Sequence, residues 1–213
     1  MSPAVARTRA AFLLYAGLQF IALVAVAMAL WPPGYSQSDN FLSELGITEY
    51  RASAALFSIA LGSLGLAFVA FAGAWRAFAF DKRRARAVGI AAEIFGMLSG
   101  AAFVAVAATP VDVSMRFHNT FVVSAFGLLL GYAACMAIVI WRNGSSRAQL
   151  ATSVLYCAVV AAYACVVFYG ASQGIASERG RWILVVSQKA MAGASIAYLV
   201  YVTITTRRRL ASA

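Results

Sequence analysis

Long apolar runs separated by short polar ones make up nearly the whole chain. Six of them, at about 9–31, 52–78, 87–108, 117–141, 149–172 and 182–206, reach the roughly 20 residues a helix needs to cross a hydrocarbon core of about 30 Å. None alternates as a barrel strand must, and backbone polar groups in lipid have to be satisfied within helices or closed barrels. The pattern predicts an all-α integral membrane bundle of six transmembrane helices. The connections are too short to hold a soluble domain, so residues 1–213 read as one transmembrane domain.

The least generic connection runs from Pro32 to Tyr50. Pro32, Pro33 and Gly34 end the first helix. Asp39 is then expected to cap a short helix that lies in the outer interface. Phe41, Leu42 and Leu45 share its apolar face, Ser43 and Glu44 stay on the polar side, and Gly46 terminates it.

Composition agrees with this class: 63% hydrophobic against 11% charged residues, with a mean hydropathy of +0.82, excludes an ordinary soluble domain. The net charge of +10 suggests nucleic acid until the charges are placed. With the N-terminus in the cytoplasm, Arg7, Arg9, Arg76, Lys82, Arg83, Arg84, Arg86, Arg142, Arg147, Arg207, Arg208 and Arg209 fall inside. Only Arg51, Arg116, Arg179 and Arg181 fall outside. Asp39, Glu44, Glu49, Asp112 and Glu178 are outer acids and Asp81 an inner one. This is the positive-inside pattern with both termini cytoplasmic, so the basic loops set topology and meet lipid headgroups rather than nucleic acid.

Trp31 and Trp182 at outer ends, with Trp75 and Trp141 at inner ends, mark the two interfaces. The first apolar run, from Ala10 to Leu30, exceeds the usual 7–15 residues of a signal-peptide core and reads as a retained anchor. Cys135, Cys157 and Cys165 lie within spans, so they read as packing residues rather than a disulfide framework. The single histidine, His118, excludes bis-histidine haem ligation and a three-histidine zinc site within one chain; no cofactor or metal is expected.

Small residues recur at helical spacing. Ser58, Gly62 and Gly65 in the second span, Ala92, Gly96 and Gly100 in the third, and Thr120, Ser124, Gly127 and Gly131 in the fourth predict a tight centre formed by these three helices. Glu93 shares the Gly96 and Gly100 face and should point into protein.

Gly34-Tyr35, Ser43-Glu44-Leu45-Gly46, Pro110-x-Asp112, His118 at the entry to the fourth span and Gln188-Lys189 in the sixth form a pattern across nearly the whole chain. In these motifs the sequence resembles the bacterial family called domain of unknown function 998. The resemblance implies a six-span bacterial inner-membrane protein without an established reaction. It also implies a position at Lys189 that is often arginine, where lysine keeps the charge but not a bidentate geometry.

The candidate polar site is therefore Ser43, Glu44, Asp112, Arg116, His118, Gln188 and Lys189, with Glu93 as an intramembrane acid. Singly, Asp112 is placed to cap the fourth helix and His118 to sit at the headgroups. Together they offer two carboxylates and an imidazole on one membrane face. At 1.5 Å per residue, Lys189 lies about 10 Å below Trp182 and Glu93 about 24 Å below Thr109, so the two should not pair. Lys189 should instead snorkel outwards to Glu44, or else Asp112, folding the long loop over the helix ends and closing a pocket that includes His118.

Three function classes stay open. The first is a lipid-handling protein, enzymatic or not, that takes a headgroup in an outer-leaflet cleft, with Ser43 as the only loop nucleophile and His118 as its base. The second is a proton-coupled small-solute transporter using Glu93 and Lys189, although no inverted repeat supports it. The third is a structural or regulatory membrane subunit.

Overall fold

The computed structural model describes residues 3–32, 34–73, 82–143, 146–172 and 177–211. Among these the apolar runs are helical and no strand forms. The helices are α1 (Pro3–Ala29), α2 (Arg51–Phe71), α3 (Lys82–Ala108), α4 (Met115–Arg142), α5 (Arg147–Ser172) and α6 (Glu178–Ala211). All six are long and apolar enough to cross a membrane. Most extend past the expected limits, because the i→i−4 ladder continues into polar turns such as Arg207–Arg209. The α2 helix stops at Phe71, and Trp75, Arg76 and Asp81 lie outside the described residues.

Each helix packs chiefly on its neighbours in sequence, and α6 returns to α1, so the six form a ring. Packing is closest along α1–α2–α3–α4, while α5 is the least buried. Between α2 and α3, a Cβ placed on either Gly65 or Gly100 would stand 2.6 Å from the other's carbonyl oxygen. Only two glycines let these backbones approach so closely. Ser99 adds a hydrogen bond to the Ala125 carbonyl at 2.8 Å, tying α3 to α4.

The expected small-residue seam is narrower on α4. Gly131 packs on the Phe95 ring, but Gly127 meets nothing within 4 Å and Thr120 is exposed. The face that α4 buries carries Ala125, Leu129, Tyr132 and Met136, and side-chain volume rather than close backbone approach fills that side. Glu93 is half-buried on the Gly96 side of α3, whereas Ile90, Ile94 and Met97 are exposed to what would be lipid. On the far side of the ring, Tyr156 and Tyr198 stack at 4.3 Å, and their hydroxyls meet Ser195 and Ser153. Cys135, Cys157 and the exposed Cys165 are free.

The Pro32–Tyr50 connection departs from expectation. Gly34, at φ 82°, turns the chain after α1. The short helix is a 3₁₀ turn, Leu42–Gly46, with Phe41 rather than Asp39 at its N-cap and no side-chain cap bond. Asp39 is drawn away by the hydroxyls of Ser36 and Ser38. Gly46 sits inside the turn, and Ile47 follows it in extended conformation. The turn is packed onto the bundle, with Leu45 fully buried and the Ser53 hydroxyl holding the Leu45 carbonyl at 3.0 Å. Trp31, expected at the outer interface, is covered by the loop. It is buried against Tyr50 at 4.4 Å and Tyr35 at 6.3 Å, while Trp182 and Trp141 are exposed.

Candidate functional site

The seven sequence candidates do not form one cluster. They divide into a cavity mouth, a latch on the loop and a solvent-facing rim.

The mouth comprises Ser43, His118 and Gln188, which line one end of a cavity of about 70 Å³ inside the ring. Below them the walls are apolar: Phe20 from α1, Phe57, Leu61 and Leu64 from α2, Phe103 and Val106 from α3, Val122, Phe126 and Leu129 from α4, and Ala192, Ile196 and Leu199 from α6. From His118 to Leu129 the lining descends by about 16 Å at 1.5 Å per residue. Among the described lining residues Ser195 is the only hydroxyl at depth, and Tyr156 and the Met191 carbonyl already engage it.

His118 is 2% exposed. Its Nδ1 lies 2.7 Å from the Thr109 carbonyl, which only accepts, so Nδ1 carries the proton and donates. Nε2 is then a lone-pair acceptor, and it is buried without a hydrogen-bond partner. Position follows from the chain: Thr109 follows the last residue of α3, Pro110 opens a tight turn, and Ser114 caps α4, its side chain accepting from the Phe117 amide. The cap is thus Ser114 and not Asp112. Gln188 accepts the Leu42 amide at 2.8 Å through Oε1, which leaves its amide group as a donor and seats the 3₁₀ turn on α6.

Lys189 and Glu44 belong to the latch. Lys189 Nζ donates to the carbonyls of Gln37 and Asn40, the latter at 2.8 Å, and stands 4.9 Å from the centre of the Tyr35 ring. It touches neither Glu93 nor a carboxylate. The expected direct contact with Glu44 is replaced by one with Arg181, whose guanidinium reaches Glu44 at 3.3 Å, the Asp39 carbonyl at 3.2 Å and the face of Phe41 at 5.9 Å. Arginine wins because it reaches from the end of α6 along the surface, whereas the lysine amine is taken up by converging carbonyls. Asn40 is the hub: its carbonyl accepts from Lys189 and from Tyr35 Oη at 3.1 Å, its Nδ2 donates to Glu44 at 2.7 Å, and its Oδ1 accepts the Ser36 amide at 2.9 Å. Burial, then Glu44, pushes the Tyr35 phenol well above its ordinary range, so it stays a neutral donor.

The rim holds Asp112 and Arg116, both exposed. Asp112 accepts from the Thr48 hydroxyl and amide, which pins the far end of the loop to the α3–α4 turn. Those bonds hold its carboxyl below the usual carboxylate range, the hydroxyl contributing most. The Ser36 hydroxyl, then that of Ser38, does the same for Asp39.

The loop is therefore fastened at three places: through Gln188 and Lys189 on α6, through Ser53 on α2, and through Asp112 before α4. Two of the fastenings use polar residues of the pattern noted above, Gln188 and Lys189 on α6 and Asp112 before α4, and the third holds the backbone carbonyl of its Leu45. A family described as protein of unknown function (DUF998) matches residues 14–203. The chain belongs to that family. No curated protein and no solved structure was found to match it. The DUF998 assignment covers every residue of mouth, latch and rim, so the site is built from the family's own segment. Asn40, Gln37, Thr48 and Arg181 belong to no motif that singles them out in the sequence. Tyr35 lay within the first motif, and Arg181 was visible only as an outer charge.

Chemically, the mouth is a set of hydrogen-bonding groups over an apolar shaft. It is not an assembled nucleophile and base, because His118 Nε2 makes no bond to Ser43 and the group orienting the ring is a carbonyl rather than a carboxylate.

Proposed function

We propose that this membrane protein binds an amphiphile with a hydrocarbon chain in the cavity within the ring and its polar end beneath the Pro32–Tyr50 loop. The observation that carries the reading is the union of an apolar shaft with a polar mouth containing one buried, unpartnered acceptor, His118 Nε2. Natural proteins rarely leave such an atom unsatisfied, so a hydrogen-bond donor is expected to meet it. At about 70 Å³ the cavity is roughly half the ~150 Å³ that holds a benzene ring, so a longer chain enters by spreading the lining side chains, and one chain asks for less of this than two. The arrangement supports holding a lipid-like molecule more than hydrolysing it, because Ser43 lacks an engaged base. A proton-coupled carrier has less support: Lys189 is committed to the loop and does not meet Glu93.

The charge pattern supports a loop on the outer face, so the chain would take its ligand from that leaflet. The test is extraction and mass spectrometry of lipids retained by purified protein, alongside an Ala192→Phe variant that fills the shaft. Retention of a single-chain amphiphile by the native chain and its loss from the variant are expected. Equal retention by both would refute the reading.

A further inference from the structure

The mouth carries information about the ligand's polar end, and we infer that it selects an uncharged hydroxyl: the ligand is a long-chain alcohol, or a lipid presenting a free hydroxyl at the top of its chain. This deepens the proposal above and rests on it.

The donors and acceptors left free at the mouth decide which polar end fits. The Thr109 carbonyl fixes the His118 proton on Nδ1, so Nε2 asks for a donor. Gln188 spends its carbonyl on the Leu42 amide, so what it has left to offer is N–H. Ser43, lining the same end, offers both. A hydroxyl meets this set completely, donating its proton to His118 and accepting from Gln188 or Ser43. An ester, ether or ketone only accepts and would leave Nε2 bare. A carboxylate or phosphate also lacks the proton, and it would need an imidazolium. That would take two charges out of water at a mouth walled by apolar side chains, a desolvation cost that the pairing repays only with ideal geometry. An alkylammonium has the proton but brings an uncompensated charge into an apolar shaft, which is costlier still. The anionic groups nearby are turned elsewhere, Glu44 to Arg181 and Asn40, Asp112 to Thr48.

His118 is the chain's only histidine, so selective ¹⁵N-histidine labelling reports this ring without ambiguity. In nanodiscs, the spectrum should show the tautomer that the Thr109 carbonyl fixes, with the proton on Nδ1 and none on Nε2. Dodecanol should shift the Nε2 signal as a hydrogen bond forms. In competition for the cavity, dodecanol should bind about tenfold more tightly than methyl dodecanoate or dodecanoate, the order expected when a buried acceptor is left unpaired. His118→Phe should abolish that preference while retaining chain binding, and His118→Gln, which keeps an acceptor, should preserve part of it. If His118→Phe fails to fold, the ligand series on the native chain decides alone. Equal affinity for alcohol and ester, tightest binding of the carboxylate, or a protonated Nε2 would overturn the hydroxyl assignment while leaving chain binding intact. If none of the three binds, the amphiphile reading itself fails.

Discussion

Replacing Lys189 with methionine keeps the apolar stem and deletes the charge that gathers the loop. The amine makes two charge-assisted hydrogen bonds, to Gln37 and Asn40, and a cation–π contact with Tyr35. Fully buried, such bonds are worth about 1.5–3 kcal/mol each, but Lys189 is only half-buried, so about 1 kcal/mol each is the appropriate scale. With about 0.5 kcal/mol for the ring contact, the loss is near 2.5 kcal/mol, or roughly 60-fold in the equilibrium between fastened and released loop. Amide hydrogen exchange reads that equilibrium at Leu42, Glu44 and Ile47, whose N–H groups bond to Gln188, Phe41 and Glu44. Their exchange should accelerate by that order in Lys189→Met, while amides at the centre of α3 stay protected. Lys189→Arg should lie close to the native chain. Unchanged exchange at the three loop amides in Lys189→Met would refute the latch.

Gly100→Ala should destabilise the bundle by about 1–3 kcal/mol, since its methyl would meet the Gly65 carbonyl and Val69, whereas Gly127→Ala should be neutral or slightly stabilising; unfolding in mixed micelles measures both. The depressed carboxyl of Asp112 contributes stability above its unfolded value near 4 and loses it as pH falls through the lower folded value. Protection of the Thr48 amide should therefore hold from neutral pH to about pH 4 and decline below, and Asp112→Ala should remove it at all pH values. A Glu178→Cys variant of a chain lacking Cys135, Cys157 and Cys165 should react with an impermeant thiol reagent from outside the cell. Labelling from the cytoplasm alone would reverse the topology and move the cavity mouth to the other leaflet.

Much of the architecture was legible because lipid imposes one strong constraint, continuous apolar helices, and the Gly65 and Gly100 spacing exposed the α2–α3 contact. Depth arithmetic also separated Lys189 from Glu93. The loop was less legible. Asp39 looks like a helix cap, but Ser36 and Ser38 compete for its carboxylate at shorter range. Trp31 looks like an interface anchor, yet the loop folds over it, an outcome that depends on contacts with Tyr35 and Tyr50 across the turn. The division of the polar residues was hidden for a related reason. Ser43 and Glu44 are adjacent in sequence, but a 3₁₀ turn rotates successive side chains by about 120°, sending the first to the cavity and the second to Arg181.

The central claim is that a hydrocarbon chain occupies the inside of the ring. A single-chain alcohol carrying a photoreactive diazirine near its methyl end, activated in nanodiscs with the native protein, tests this most directly. Adducts mapped to Phe126, Leu129, Ile196 or Leu199, and competed away by unlabelled alcohol, are predicted. Adducts confined to outward-facing residues such as Leu66, Leu98 and Val123, and insensitive to competitor, would contradict the account.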